Sequence, residues 1–193
     1  MLVVKESYRI GIAVLRVGVG IIFLWAGLEK LMAPEPFSAT GFLEFATGGS
    51  LGWPFVTGEV AEGTVFNPTH GFWVGLAANE SVMTVIDVLV PWGQLGIGIG
   101  LIVGLLTRFS AAMGTLMMLF FFVAAWDFEF GIVNQHLTYA LVTAFLGLIG
   151  AGNFYGLDGM VGESAPPWVR RWLLSGTPGA AGGVDPATRP MPA

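Results

Sequence analysis

The chain contains no cysteine, which excludes disulfides, thiolate metal sites, iron–sulfur clusters and thioether-attached haem. Charge is scarce as well. Charged residues make up 11% of the 193 positions, against about 25% in a soluble domain. Eight basic and 13 acidic side chains cannot cover a water-soluble surface of this size. The net charge of −5 excludes a nucleic-acid binder. Only two histidines occur, His70 and His136, and no H-E-x-x-H or nucleophile-elbow sequence is present. No phosphate-binding glycine loop is credible either, because the G-I-G-I-G run sits inside an apolar segment.

What the chain does have is apolar length: hydrophobic residues reach 54% and the mean hydropathy is +0.75. Crossing about 30 Å of hydrocarbon takes roughly 20 apolar residues as a helix. Four stretches qualify, at about 10–32, 82–106, 109–126 and 132–151. The first is too long for a signal-peptide core and lacks a following A-x-A site. The fold class expected is therefore all-α, an integral membrane four-helix bundle over residues 1–160. Residues 161–193 form a tail, expected to be disordered after 175 because it turns Gly/Pro/Ala-rich.

Only Arg16, Glu29, Lys30 and Asp87 place charge inside these stretches. The other charges sort by sign. With the N-terminus inside, Lys5, Arg9, Arg108, Arg170, Arg171 and Arg189 are cytoplasmic, and most carboxylates lie outside. The positive-inside rule thus predicts both termini in the cytoplasm and a multi-pass protein of the cell membrane. Leu106-Thr107-Arg108 makes a tight hairpin. The long connection from about 33 to 81 is extracytoplasmic and partly helical near Phe37, Phe42 and Phe45; its aromatics form either an interfacial belt or a lid. Pro91 is expected to kink the second helix. Gly96, Gly100 and Gly104 form two G-x-x-x-G steps, used inside the bundle or in a homodimer.

Ionisable groups at membrane depth are expensive and point to function. Lys30 shares a helical stripe with Gly27, Phe23 and Arg16, so it faces inward while its neighbour Glu29 does not. Arg16 either snorkels or pairs within the bundle. Asp87 and Gln94 share one face of the second helix; His136, Tyr139, Thr143 and Gly147 form a stripe on the fourth. Trp126, Asp127, Glu129 and Asn134 cap the turn between the last two spans. Lys30, Asp87, Gln94, Trp126, Asp127, His136 and Tyr139 are thereby expected together at the outer third of the bundle. Two readings stand side by side. A histidine among carboxylates, tyrosine and glutamine can bind a quinol head group and take its proton; the same residues can serve as a network that satisfies helix ends and pairs Lys30 with Asp87.

Several of these segments resemble the DoxX/DoxD family of small four-helix membrane proteins. Leu15-Arg16-Val17-Gly18 followed by Gly27-Leu28-Glu29-Lys30-Leu31 is similar to the family's first-helix pattern. Trp92-Gly93-Gln94-Leu95 through Gly104-Leu105-Leu106-Thr107-Arg108 resembles its second-helix pattern. Asn134-Gln135-His136, Gly150-Ala151-Gly152 and Gly156-Leu157-Asp158 complete the set. Many members carry Glu in the opening turns of the second helix, where this chain has Gln94 and, seven residues earlier, Asp87.

The resemblance implies a DoxD-like membrane subunit of a thiosulfate:quinone oxidoreductase. It would have no intrinsic cofactor or metal, quinone as bound substrate, and a DoxA-like second subunit or a sulfurtransferase as partner. Under that reading His136, Asp87 and Lys30 are the catalytic candidates, with Gln94, Tyr139, Trp126, Asp127 and Arg16 binding quinone. The alternative is a non-catalytic scaffold or assembly protein of a redox or envelope complex. Two lysines, no cysteine and acidic outer segments also suit a halophilic prokaryote.

Overall fold

A computed structural model describes residues 6–52, 54–129, 131–162 and 164–175. The tail expected to be disordered, 176–193, lies outside them, as do Lys5 and Arg189.

Helix α1 spans Glu6–Met32, α4 Glu80–Val103 and α5 Thr107–Ala125; each is long and apolar enough to cross a membrane. The fourth apolar stretch behaves differently. Helix α6 runs only from Gln135 to Leu148. Its 14 residues rise about 21 Å, short of the ~30 Å hydrocarbon core. The expected start at 132 fails because Asn134 caps the helix, its side chain accepting from Leu137 N at 3.0 Å. Apolar Ile132 and Val133 stay in the turn, and hydropathy alone does not register a cap. Among the described residues three helices thus qualify as membrane spans by length and composition, and the chain is a membrane protein of mainly helical structure.

The long first connection carries α2 (Thr40–Phe45), a short 3-10 turn at Ala46–Gly48, strand β1 (Ser50–Leu51) and α3 (His70–Ala77). Strand β2 (Asp127–Phe128) pairs in parallel with β1, Ser50 opposite Asp127. After α6 a 3-10 turn at Ala151–Asn153 leads to α7 (Asp158–Val161) and α8 (Pro167–Trp172).

Packing divides the long helices into two close pairs, α1 with α4 and α5 with α6. Small residues make the first pair possible. A Cβ at Gly20 or Gly98 would meet the backbone of the facing helix, and one at Gly27 would meet the Pro91 carbonyl and Leu95 amide. Such close backbone approach replaces the hydrophobic drive that lipid does not supply. The core between the pairs is Phe23, Ile97, Leu101, Met118 and Leu146. α4 continues through Pro91, whose missing N–H withdraws the usual helical donor from the Asp87 carbonyl. The glycine stripe is mostly used within the chain: Gly100 faces Ser110 of α5 and Gly104 faces the Arg16 guanidinium, while the space beside Gly96 is open.

The α4–α5 hairpin turns through two left-handed residues, Gly104 (φ 70°) and Leu106 (φ 53°). This turn marks the hairpin end of the molecule. The opposite end, covered by α2 and α3, is the loop end.

Candidate functional site

Between the two helix pairs, α4 and α5 leave a cavity of about 1040 Å³ that runs from the loop end to the hairpin. Ile86, Val90, Gly93, Gly96 and Gly100 of α4 form one wall, and Met113, Leu116, Met117, Phe120 and Phe121 of α5 the other. Phe37, Phe42 and Trp73 from the long connection roof the loop end. Lys30, His136 and Ser110 are the polar side chains on this lining.

Lys30 occupies the last turn of α1, and its neighbour Glu29 is exposed, as the stripe predicted. Its ammonium donates to the Ala26 carbonyl at 3.1 Å and sits 5.7 Å from the Phe37 ring centre. His136 is the second residue of α6 and half-buried. Its ring packs edge-on against Phe121 at 5.8 Å, and Phe121 in turn against Phe42 at 6.3 Å. An ammonium and an imidazole thus stand on the wall of a largely apolar chamber, where a polar group of a ligand has few other partners.

The carboxylates do different work. Asp87 accepts a hydrogen bond from the Ala39 backbone at 2.7 Å and so pins the start of α2 to α4. Asp127 accepts from the Ser50 hydroxyl at 2.5 Å and from the Glu129 amide at 3.0 Å. The Ser50 hydroxyl, then the Glu129 amide, hold the Asp127 carboxyl below the usual carboxylate range. Trp126 is left-handed (φ 47°), and its carbonyl accepts from Ser50 N at 3.0 Å. Among the described residues the ion pair within 4 Å is Arg9–Glu6, not Lys30–Asp87.

The single outer cluster expected from the stripes therefore separates. Lys30 and His136 reach the cavity, and Asp87 stands behind it through Ala39, itself a lining residue. Gln94 is 4% exposed at the α1–α4 contact, with its Oε1 unpartnered. Tyr139 packs on the core. Thr143 is buried and shares a 2.9 Å hydrogen bond with Thr115. Periodicity gives the face a residue occupies but not which neighbour covers that face.

Arg16 lies 14 residues from Lys30 along α1, about 21 Å away. One head group cannot touch both. It does not snorkel. At 1% exposure, it donates to the Ala151 carbonyl at 3.1 Å and the Tyr155 carbonyl at 3.3 Å. Close by, buried Asp158 accepts from the amides of Leu106 (2.8 Å), Thr107 (3.1 Å) and Ser175 (3.1 Å), and from the Ser175 hydroxyl (2.8 Å). A Cβ at Gly104, Gly152 or Gly156 would strike this knot. Residue-by-residue reasoning missed Asp158. The only sequence signal was its place in the Gly156-Leu157-Asp158 motif, which here converges with Arg16 and the Gly104–Thr107 hairpin.

His70, the other histidine, is held through Nδ1 by the buried Thr47 hydroxyl at 2.8 Å. Asn67 completes the docking of the long connection, donating to the carbonyls of Val123 and Ala124 at 3.1 and 2.8 Å.

No curated protein and no solved structure matches the chain. The DoxX family model matches residues 11–127, from the first turns of α1 to the start of β2. That match covers more than half of the chain and includes Arg16, the Lys30 end of α1, all of α4 and the hairpin. The chain belongs to the DoxX family.

Proposed function

We propose that this protein is a quinone-interacting membrane subunit of an oxidoreductase, with the quinone head group at Lys30 and His136. The observation that carries the reading is the presence of one ammonium and one imidazole on the lining of a largely apolar cavity between two apolar helices. A quinone carbonyl accepts hydrogen bonds, which the Lys30 ammonium and the imidazole N–H of His136 can donate. Reduction of quinone to quinol takes two electrons and two protons, and His136 is the group suited to pass protons at neutral pH. Thiosulfate is the donor the family motivates: joining two thiosulfate ions through a sulfur–sulfur bond releases the two electrons. A DoxA-like subunit or a sulfurtransferase would bring that anion to the membrane. Lys30 is the only cation in the spans near the loop end, so the chain alone offers thiosulfate little positive charge.

In this reading the loop end faces outward and both termini lie inside. The α6 segment, continued by the 3-10 turn, makes a fourth pass. A second reading, a non-catalytic membrane scaffold, is favoured by Asp87 and Asp127, whose hydrogen bonds anchor the long connection.

Protein purified in native lipid should release menaquinone or ubiquinone on solvent extraction, detected by mass spectrometry. A short-chain quinol should also raise its melting temperature. Absence of both overturns the quinone reading in favour of the scaffold. With its partner present, His136→Ala and Lys30→Ala should abolish thiosulfate-dependent quinone reduction at normal expression.

A further inference from the structure

We infer that the α4–α5 groove is the tail channel of a bilayer-borne prenyl lipid with an uncharged head, entered sideways from the membrane, and that Gly96 sets its width. The inference rests on the quinone reading for the head group only. Groove-lining residues run along α4 from Ile86 to Val103. Seventeen residues at 1.5 Å rise make about 25 Å, most of the depth of the ~30 Å hydrocarbon core. A channel of that length suits a long unbranching path for a chain, and is far longer than a head group needs.

The two ionisable side chains on the lining mark which end takes the head, while Ser110 near the hairpin end faces Gly100. Lys30 and His136 stand at the loop end beneath Phe37, Phe42 and Trp73, so a head there is covered by protein rather than by the headgroup layer. A phospholipid phosphate placed under that roof would lose its hydration with Lys30 as its one cation, and Lys30 already donates to Ala26. Burying a charge on such terms is unfavourable. A neutral head that only accepts hydrogen bonds avoids this cost.

Gly96 lies ten residues from Ile86, near the middle of the channel. A Cβ there meets nothing within 4 Å, whereas at Gly98, on the other face of α4, it would collide with the backbone of α1. With Gly100 against Ser110 and Gly104 against Arg16, the three-glycine stripe is not free to zip onto a second helix. Its open member widens the groove instead. A large side chain at Gly96 should fill the channel without displacing any backbone.

The test uses the full chain in detergent micelles, with quinones of one head group and either no tail or a long prenyl tail. The parent should bind the tailed form at least ten-fold more tightly. Gly96→Phe, or Gly96→Leu if the larger variant folds poorly, should bring the tailed ligand down to the tailless affinity. Gly18→Phe adds the same bulk on α1, at a position off the groove lining and twelve residues before Lys30, where a Cβ also meets nothing, and should keep the parent affinity. Equal affinities for the two forms in the parent overturn the channel, as does a Gly96→Phe protein that binds the tailed form normally. Gly96→Phe converting a dimer to a monomer, or phospholipid occupying the groove in place of the tailed ligand, also overturns it. A prenyl alcohol separates the two readings: if it binds, is blocked by Gly96→Phe, and no quinone binds better, the channel stands and the quinone reading falls.

Discussion

The guanidinium of Arg16 and the carbonyl of Ala151 meet at 3.1 Å although 135 residues of chain separate them. This contact closes the hairpin end, because the same guanidinium also holds Tyr155 O and fills the space left by Gly104 and Gly156. Replacing it with the apolar Arg16→Met takes the side-chain donor from the Tyr155 carbonyl and leaves the Ala151 carbonyl only the Phe154 amide, at a cost of about 1–3 kcal/mol. Arg16→Lys should recover only part, since an ammonium cannot span two carbonyls as a guanidinium fork does. Equilibrium denaturation in detergent checks both; a parent-like Arg16→Met removes the latch.

Asp87→Ala should free the start of α2 by deleting the acceptor of the Ala39 amide, a local loss of about 1–2 kcal/mol. Asp87→Asn keeps an acceptor oxygen and should be close to neutral. Hydrogen exchange at the amides of Ala39 and Leu43 reads this out, and protection that survives Asp87→Ala contradicts the anchoring role.

Glycine substitutions should divide by location. Gly152→Ala thrusts a methyl among the oxygens of Thr107, Asp158 and Ser175 and should destabilise by about 1–3 kcal/mol. Gly96→Ala enters open space on a helix and should stabilise by about 0.5–1 kcal/mol. Melting temperatures moving in the same direction would contradict the packing described.

Acid should loosen the β1–β2 bridge. The Ser50 hydroxyl and then the Glu129 amide lower the Asp127 pKa, so its contribution is present above the ordinary carboxylate range. That contribution is lost as pH falls through the depressed folded value. Ser50→Ala removes the larger cause and should raise the Asp127 midpoint toward the ordinary range. A carboxyl-resolved NMR titration measures it, and an unmoved midpoint would show that Ser50 is not responsible.

Orientation is open to a clean labelling experiment because the chain has no native cysteine. Glu44→Cys and Arg171→Cys lie at opposite ends of the molecule and should react with an impermeant thiol reagent from opposite sides of the cell membrane. Labelling of both from one side would contradict the proposed topology.

The helices were legible because apolar runs of this length have few other uses, and the inward turn of Lys30 followed from its i, i+3 relation to Gly27. Two things were not. The Ser50–Asp127 bridge joins residues from segments without strand periodicity, and it exists because the loop end folds back. The carboxylate roles were also hidden: Asp87 and Asp127 look like titrating groups in a polar stripe, yet their partners are a backbone amide and a hydroxyl from another part of the chain. A stripe predicts neighbours along one helix, while a site depends on neighbours between helices.

The pairing of α1 with α4 rather than with its successor bears on how the protein is made. Synthesis runs from the N-terminus, so α1 emerges with its glycine face and Arg16 before any of their partners exist. The glycines wait for α4, and Arg16 waits until Ala151 and Tyr155 leave the ribosome. Biogenesis therefore ends with a locking event at the hairpin end, and a chain truncated before residue 151 would carry a buried arginine with nothing to receive it.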